Sequence, residues 1–141
     1  MAAFNKYNVF VEDLAEKVHN LGADTLKVAL TNTAPNAGTH ATLTDITQIT
    51  AGNGYTAGGN AASITSSAQT SGTYKLVLGD PTTFTATGGS IGPFRYAVLY
   101  NDTSVTDRLI GWWDYGTSLT LADGEAFTVD FDPTSGVLTI A

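Results

Sequence analysis

The sequence predicts an all-β protein, a β-sandwich or barrel-like domain of about seven to nine short antiparallel strands with one N-terminal α-helix. Only 13% of the 141 residues are charged, so Thr, Ser, Asn and Gly must supply most of the polar surface. Thr favours strands and the other three favour turns. Several segments alternate apolar and polar residues, and no regular succession of strands and helices indicates a parallel sheet. Without an obvious linker, residues 1–141 form a single domain.

The N-terminal region has the period of a helix, which we predict over residues 8–21. Asn8 is placed to act as the N-cap, and Gly22 is suited to the position after the C-cap. Asp13 and Lys17 have the spacing of a favourable pair on one helix face. The apolar positions recur at intervals of four, four and three residues: Phe10, Leu14, Val18 and Leu21.

The next strand is predicted over residues 25–31, TLKVALT, in which Leu26, Val28 and Leu30 point inward and Lys27 points outward. Residues 32–72 form a long loop region rich in Thr, Ala, Gly and Asn. A loop of that length is unusual in a compact domain, so short strands or a turn are expected within it. The best candidates are LTDITQI at 43–49 and ASITSS at 62–67.

The second half of the chain reads as further strands. TYKLVLG at 73–79 alternates, and TTFTATG at 82–88 is suited to an edge strand. GPFRYAVLYN and DRLIGWWDYG are predicted to form a hairpin across NDTSVT. A turn is expected at Asp123–Gly124, and a last short strand follows the DPTSG turn.

Charge and composition exclude several classes of function. The net charge of −7 and the scattered basic residues argue against nucleic acid and against an anionic membrane surface as partners. The chain has no cysteine, and therefore no disulfide or thiolate metal site. No segment has the length and apolarity of a membrane span, and acidic residues interrupt the N-terminal region where a signal peptide would be apolar. We therefore expect synthesis in a cytoplasm.

The residues offer little for catalysis, and we expect no enzyme activity, no catalytic residue and no cofactor. The two histidines, His19 and His40, lie in the predicted helix and in a loop, and no G-x-S-x-G motif is present. Asp130 and Asp132 project to one face of a predicted strand and could in principle serve a calcium ion or a glycosidase. An outward polar face explains them better, so no metal site is predicted, and a carbohydrate-active hydrolase is only a remote alternative.

Aromatic residues concentrate in the predicted hairpin. Exposed, they would form a platform that stacks on sugars, whereas buried they would belong to the core or to a subunit contact. The second interpretation is favoured. The residues are Tyr96, Tyr100, Trp112, Trp113 and Tyr115.

The hairpin also contains a charge inside an apolar strand. A register that pairs Tyr100 with Leu109 would also pair Arg95 with Asp114 and Leu99 with Ile110. It would place Trp112 on the face of Arg95 and Trp113 on the face of Tyr100. Both faces would then be largely apolar, so a second sheet, the helix or a neighbouring subunit should cover the second one. The candidate oligomer or packing interface consists of Arg95, Leu99, Ile110, Trp112 and Asp114, with Arg95 paired to Asp114 and stacked on Trp112.

Four segments of the chain resemble small virion proteins of tailed bacteriophages, of the capsid decoration, minor capsid or head cement type. Together they cover most of the sequence. They are YNVFVEDLAEKVHNLGADTLKVALTNTAP, GNGYTAGGN, SAQTSGTYKLVLGDP and RYAVLYNDTSVTDRLIGWWDYGTSLTLADGEAFTVDFD.

The resemblance implies a non-enzymatic, β-rich structural protein on the exterior of the virion, commonly a trimer, bound to the major capsid protein and synthesised in the bacterial host. It supplies no catalytic residues to carry over. A tail or adhesion component that binds a host glycan or receptor is the alternative, in which the aromatic residues and the region 32–72 would contact the host.

Overall fold

The computed structural model describes residues 2–141, and in this range the fold is all-β with one short helix near the N-terminus, as the sequence predicts. Ten strands are present, more than the seven to nine predicted, because several are pairings of only two or three residues. The elements are β1 (Asn5–Lys6), α1 (Val9–Ala15), β2 (Leu26–Thr31), a 3₁₀ helix (Leu43–Asp45), β3 (Asn60–Ala62), β4 (Ile64–Thr70), β5 (Thr73–Leu78), β6 (Phe84–Thr85), β7 (Ile91–Asn101), β8 (Arg108–Leu121), β9 (Ala126–Phe127) and β10 (Leu138–Ile140).

The strands form three antiparallel sheets. A five-stranded sheet has the order β1-β8-β7-β2-β3, a three-stranded sheet has the order β10-β5-β4, and β6 pairs with β9. The long β7–β8 hairpin lies at the centre of the larger sheet, with β2 antiparallel to β7 from Leu26↔Asn101 to Thr31↔Tyr96. Residues from both larger sheets contribute to one hydrophobic core, so the arrangement is sandwich-like.

The main core follows the alternation of the strands. Leu26, Val28 and Leu30 of β2 are fully buried and point to the same side as Leu99 of β7. Leu76 and Leu78 of β5 supply the facing layer. Successive strand residues point to opposite faces of a sheet. The alternating Leu, Val and Leu side chains of β2 therefore all point into the main core.

The second face of the larger sheet is covered as well, and the cover comes from the same chain. Val98, Tyr100 and Leu109 pack there with Tyr7 and with residues of the 43–46 segment, Leu43 and Ile46. The two apolar faces of the hairpin are therefore explained within one chain. A neighbouring subunit, which the sequence left open as the second layer, is not needed for this burial.

The helix is shorter than predicted and ends at Ala15 instead of near residue 21. Lys17 adopts the left-handed conformation, with φ of 65°, and Val18 N–H donates to the Asp13 carbonyl at 2.8 Å. This is a Schellman-type end, so Lys17 occupies the position predicted for Gly22. Asn8 has helical dihedral angles and makes no side-chain cap. The early end lets the chain turn back, which places Leu21 in the main core.

The region 32–72 is a loop only in its first part. The 3₁₀ helix at 43–45 begins with a capping box in which Thr42 and Asp45 bond reciprocally. The Asp45 carboxylate accepts hydrogen bonds from the backbone N–H groups of Ala41 and Thr42, which hold its pKa below the usual value. The second part of the region forms β3 and β4 instead of a loop, consistent with the strand expected within ASITSS.

The β4–β5 hairpin extends beyond the core as a ribbon. Residues 65–73 are all exposed, and Ser71 and Gly72 form its two-residue turn with φ angles of 51° and 84°. No residue from 65 to 74 is charged. β4 is also an edge strand of seven residues, whereas the other three edge strands of the two larger sheets, β1, β3 and β10, have two or three.

Candidate functional site

The register of the β7–β8 hairpin differs from the prediction by one residue over most of its length. Tyr100 pairs with Leu109 as predicted, but Leu99 pairs with Gly111 because Ile110 is an extra residue in a β-bulge. Beyond the bulge, every residue of β8 faces a different partner. Trp113 therefore joins the main core with Leu99, and Trp112 lies on the opposite face, the reverse of the prediction.

The five candidate interface residues separate into two groups. Leu99 and Ile110 are fully buried in the core of the chain and leave no surface for a second subunit, so their role here is internal packing. Trp112 is half-buried, and its ring centroid lies 4.6 Å from that of Tyr7. Arg95 and Asp114 remain accessible to solvent, each with 38% of its side chain exposed.

Arg95 and Asp114 form the ion pair that the sequence predicts. The guanidinium donates through Nε and Nη2 to the two carboxylate oxygens at 2.8 and 2.9 Å, a bidentate geometry. This pairing, together with the Gly116 N–H that also donates to Asp114, lowers the pKa of the carboxyl. The guanidinium lies over the Tyr96 ring, at 5.4 Å from the ring centroid. The predicted stacking of Arg95 on Trp112 is therefore wrong.

A second irregularity in β8 follows Asp114. Phe94 pairs with Leu119 and Tyr96 pairs with Asp114, so residues 115–118 have no partner on β7 and are all exposed. The Asp114 carboxylate fixes the start of this bulge through its bond to Gly116, which has φ of 97°. Tyr115, the first residue of this bulge, is 55% exposed.

Beside this bulge lies an apolar groove of about 230 Å³, which we call the aromatic groove. One wall is formed by the β7–β8 hairpin and the other by residues 127–131. The rings interlock edge to face: the centroids of Phe94 and Phe127 are 5.0 Å apart, and those of Tyr115 and Phe127 are 5.7 Å apart. Further lining residues are Leu30, Arg95, Tyr96, Trp113, Asp130 and Phe131.

The second wall was not predicted from the sequence, although Asp130 and Asp132 belong to the segment around it. A signal was present, because Phe127, Val129 and Phe131 alternate with Thr128 and Asp130. Val129 and Phe131 are buried and Phe127 is half-buried, while Asp130 is exposed. The alternation thus places three apolar side chains toward the core or groove and leaves a carboxylate at the rim.

The groove is lined mainly by apolar and aromatic side chains. Its ionisable side chains are Arg95, Asp130 and the tyrosines, and Arg95 is already paired. Among the described residues that line it there is no histidine, and Asp130 is the single carboxylate. The Trp113 indole N–H is buried and has no acceptor among the described residues.

The residues considered for catalysis or metal binding lie elsewhere. His19 is buried, and its Nδ1 lies 3.1 Å from Asn101 Nδ2. Because Asn101 Oδ1 accepts the N–H groups of Thr103 and Ser104, its amide nitrogen faces His19 as the donor. His19 Nδ1 is then an acceptor and the imidazole is neutral. Burial lowers the pKa of His19, which is consistent with this state.

The remaining candidates have structural surroundings. His40 Nδ1 accepts the backbone N–H of Asn36 in a loop. Asp132 accepts the N–H groups of Thr134 and Ser135, which cap a turn and lower its pKa. Within residues 2–141 no three His, Cys, Asp or Glu side chains come together in a cluster suited to a metal ion. No helix in this range has the length and hydropathy to cross a bilayer.

Fold and groove together define a small sandwich-like all-β protein that carries an aromatic-lined groove next to an ion pair. Comparison with known proteins adds nothing to this description, since no family model, no curated protein and no solved structure matches the chain.

Proposed function

We propose that the chain is a structural virion protein, a capsid decoration or cement subunit that binds the major capsid protein lattice on the exterior of a tailed-phage head and stabilises it. The observation that carries the proposal is the aromatic groove, a partly exposed apolar surface on a β-sheet scaffold. Apolar surface beside polar rim groups is characteristic of protein interaction sites. The four sequence segments that resemble such virion proteins support the same function. The last of them contains Tyr115 and Phe127.

The stabilising effect follows from mass action. A subunit that binds the assembled lattice and not its separated components adds binding free energy to the assembled state. At a free concentration one hundred times the dissociation constant, each occupied site adds about 2.7 kcal/mol. A decoration subunit therefore needs only an accessible, shape-complementary surface and no chemistry.

The oligomeric state belongs to the same proposal. The resemblance implies a trimer, synthesised in the cytoplasm of a bacterial host and added to the outside of the head. Because Leu99 and Ile110 are used within the chain, contacts between subunits would involve accessible residues such as Arg95, Trp112 and Asp114.

The direct test uses expanded capsids that lack the protein. We expect the purified chain to cosediment with them saturably, to raise their disruption temperature, and to add density to the outer surface in electron microscopy. Tyr115→Ala should weaken this binding, because Tyr115 is exposed over the groove. Val105→Ala is the matched control, since Val105 is fully exposed in the β7–β8 turn and does not line the groove. Absence of binding to expanded capsids would contradict the proposal.

A tail or adhesion component that binds a host glycan or receptor is the second candidate. The exposed Tyr115 ring favours it, because sugars stack on accessible aromatic faces. Trp113 gives no such support, since its side chain is buried. This alternative predicts binding to host cells or envelope glycans, and density on the tail instead of the head.

A further inference from the structure

We infer that the aromatic groove binds a segment of the major capsid protein that packs one large apolar side chain against Tyr115 and Phe127 and places a neighbouring Lys or Arg against Asp130. The inference rests on the proposed function for the source of this segment. The chemistry of the segment, an apolar anchor next to a cation, is argued from the groove itself.

The apolar part follows from volume and lining. An apolar cavity of about 150 Å³ is sufficient to hold benzene, and the groove offers about 230 Å³. Its walls present ring edges and faces at centroid distances of 5.0 and 5.7 Å, the range in which aromatic pairs interact. An aromatic or large aliphatic side chain can therefore lie in the groove and pack against Phe127 and Tyr115, which are already in contact with each other.

The basic part follows from charge. Asp114 is occupied by both Arg95 and the Gly116 N–H, so the pair leaves no free charge at that side of the rim. Asp130 is exposed and makes no ion pair or side-chain hydrogen bond with the other described residues, so its carboxylate is available. The net charge of the chain, −7, attracts a cationic segment over longer range.

A second copy of the chain is a poorer occupant, because it brings the same net charge of −7 and few free cations. Three of the six basic side chains are in ion pairs: Arg95 with Asp114, Arg108 with Asp13, and Lys27 with Asp102. Lys75 donates to the Thr134 carbonyl at 2.8 Å. Among the described basic side chains, Lys6 and Lys17 are thus the two with neither an ion pair nor a hydrogen bond.

The test uses two short peptides and the indole N–H signals of the two tryptophans. The probes are acetyl-Gly-Phe-Lys-Gly-amide and acetyl-Gly-Phe-Glu-Gly-amide, added to the folded full chain at millimolar concentration. Trp113 lines the groove, whereas Trp112 packs against Tyr7 on the other face of the sheet and is the internal control. We expect the Phe-Lys peptide to move the Trp113 signal saturably and to leave the Trp112 signal in place. The Phe-Glu peptide should bind at least threefold more weakly.

Two variants, each with a matched control, separate the apolar from the ionic contribution to peptide binding. Tyr115→Ala should abolish the Trp113 shift, while Val105→Ala should retain it. Asp130→Asn should remove the preference for Lys over Glu. Glu16→Gln removes one negative charge from an exposed side chain outside the groove and should keep that preference. All four positions are exposed, so the variants should fold, and unchanged thermal unfolding curves verify this.

Three outcomes overturn the inference. The first is a Trp113 signal that neither peptide moves, and the second is equal binding of both peptides. The third is a Trp113 signal that shifts when the protein alone is diluted, because a second copy would then occupy the groove.

Cosedimentation with capsids separates this inference from the proposed function. If wild type and Tyr115→Ala bind expanded capsids equally, the groove is not the contact and the decoration function stands. If the Phe-Lys peptide binds but the protein does not bind capsids, the recognition chemistry stands and the capsid protein is excluded as its source.

Discussion

The Asp13 carboxylate accepts two hydrogen bonds from the Arg108 guanidinium, at 2.7 and 2.8 Å, and so joins the helix α1 to the start of β8. Asp13 is buried, with 6% of its side chain exposed, and Arg108 is 25% exposed. The bidentate bonds supply the acid with a partner that burial requires. They also explain why Asp13 does not form the pair with Lys17 that helix spacing suggests.

Replacing Asp13 by Asn should destabilise the fold by about 2–4 kcal/mol, because a largely buried cation loses its counter-charge. Urea denaturation measures the change. Asp102→Asn is the control, since the Lys27–Asp102 pair is exposed by about a third on each side and its loss should cost less than about 1 kcal/mol. Equal losses for both variants would contradict the assignment of Asp13 as the structural anchor.

Acid should weaken the fold through His19. Burial is the largest cause of its lowered pKa, opposed by Asp13 and Asp24 and reinforced by Arg108. In the unfolded chain His19 takes up a proton near its ordinary pKa of 6.5, whereas the folded chain takes it up only at lower pH. The unfolded state then binds more protons, so this contribution is complete above pH 6.5 and is lost as the pH falls below it.

Unfolding free energies measured at pH 7.5, 6.5 and 5.5 should therefore decrease toward acid in the wild type. His19→Gln should be less stable at pH 7.5, because the bond with Asn101 is disturbed, but its stability should change less over this range. A wild-type stability that is constant down to pH 5.5 would show that His19 is not the titrating group.

Leu99→Ala should lower the unfolding free energy by about 2–5 kcal/mol, the range for a large apolar side chain removed from a packed core. Leu99 is fully buried within the single chain. Val105→Ala, at a fully exposed position, should change it by no more than about 0.5 kcal/mol. Sedimentation of both variants measures whether their oligomeric state has changed. A Leu99→Ala protein with altered assembly and unchanged stability would restore Leu99 as an interface residue.

Gly59→Ala should be among the most damaging single changes. Gly59 has φ of 69°, and an added Cβ would collide with the carbonyl of Val28, against which β3 pairs. Left-handed strain and overpacking together should cost about 3 kcal/mol or more. Gly72→Ala tests the strain alone, because nothing lies within 4 Å of its added Cβ, and it should cost about 1–2 kcal/mol. Similar losses in thermal unfolding for both would contradict this reasoning.

What the sequence predicts well is local. The alternation in β2 identifies Leu26, Val28 and Leu30 as core. The predicted hairpin register also brought Arg95 to Asp114, and the ion pair forms although Tyr96 is the residue directly opposite Asp114. The helix end was wrong because the left-handed turn at Lys17 depends on Leu21 reaching a distant core, which no local pattern encodes.

The candidate site was only half predictable. Its hairpin wall follows from the sequence, although the bulge at Ile110 exchanged the two tryptophans between faces. A bulge is one extra residue in a ladder, and the apolar sequence LIGWW tolerates either register. The opposite wall, at 127–131, packs against the hairpin through long-range contacts. The sequence alone therefore could not predict the groove.

The uncharged β4–β5 ribbon has a practical consequence for protein engineering. Its turn, Ser71–Gly72, is exposed, lies outside both hydrophobic clusters and does not line the aromatic groove. Exposed hairpin tips of small polar residues are where domains accept foreign sequence most readily. A peptide epitope or a fluorescent label introduced between these two residues would be exposed at the tip of the β4–β5 hairpin. The core and the aromatic groove would remain intact.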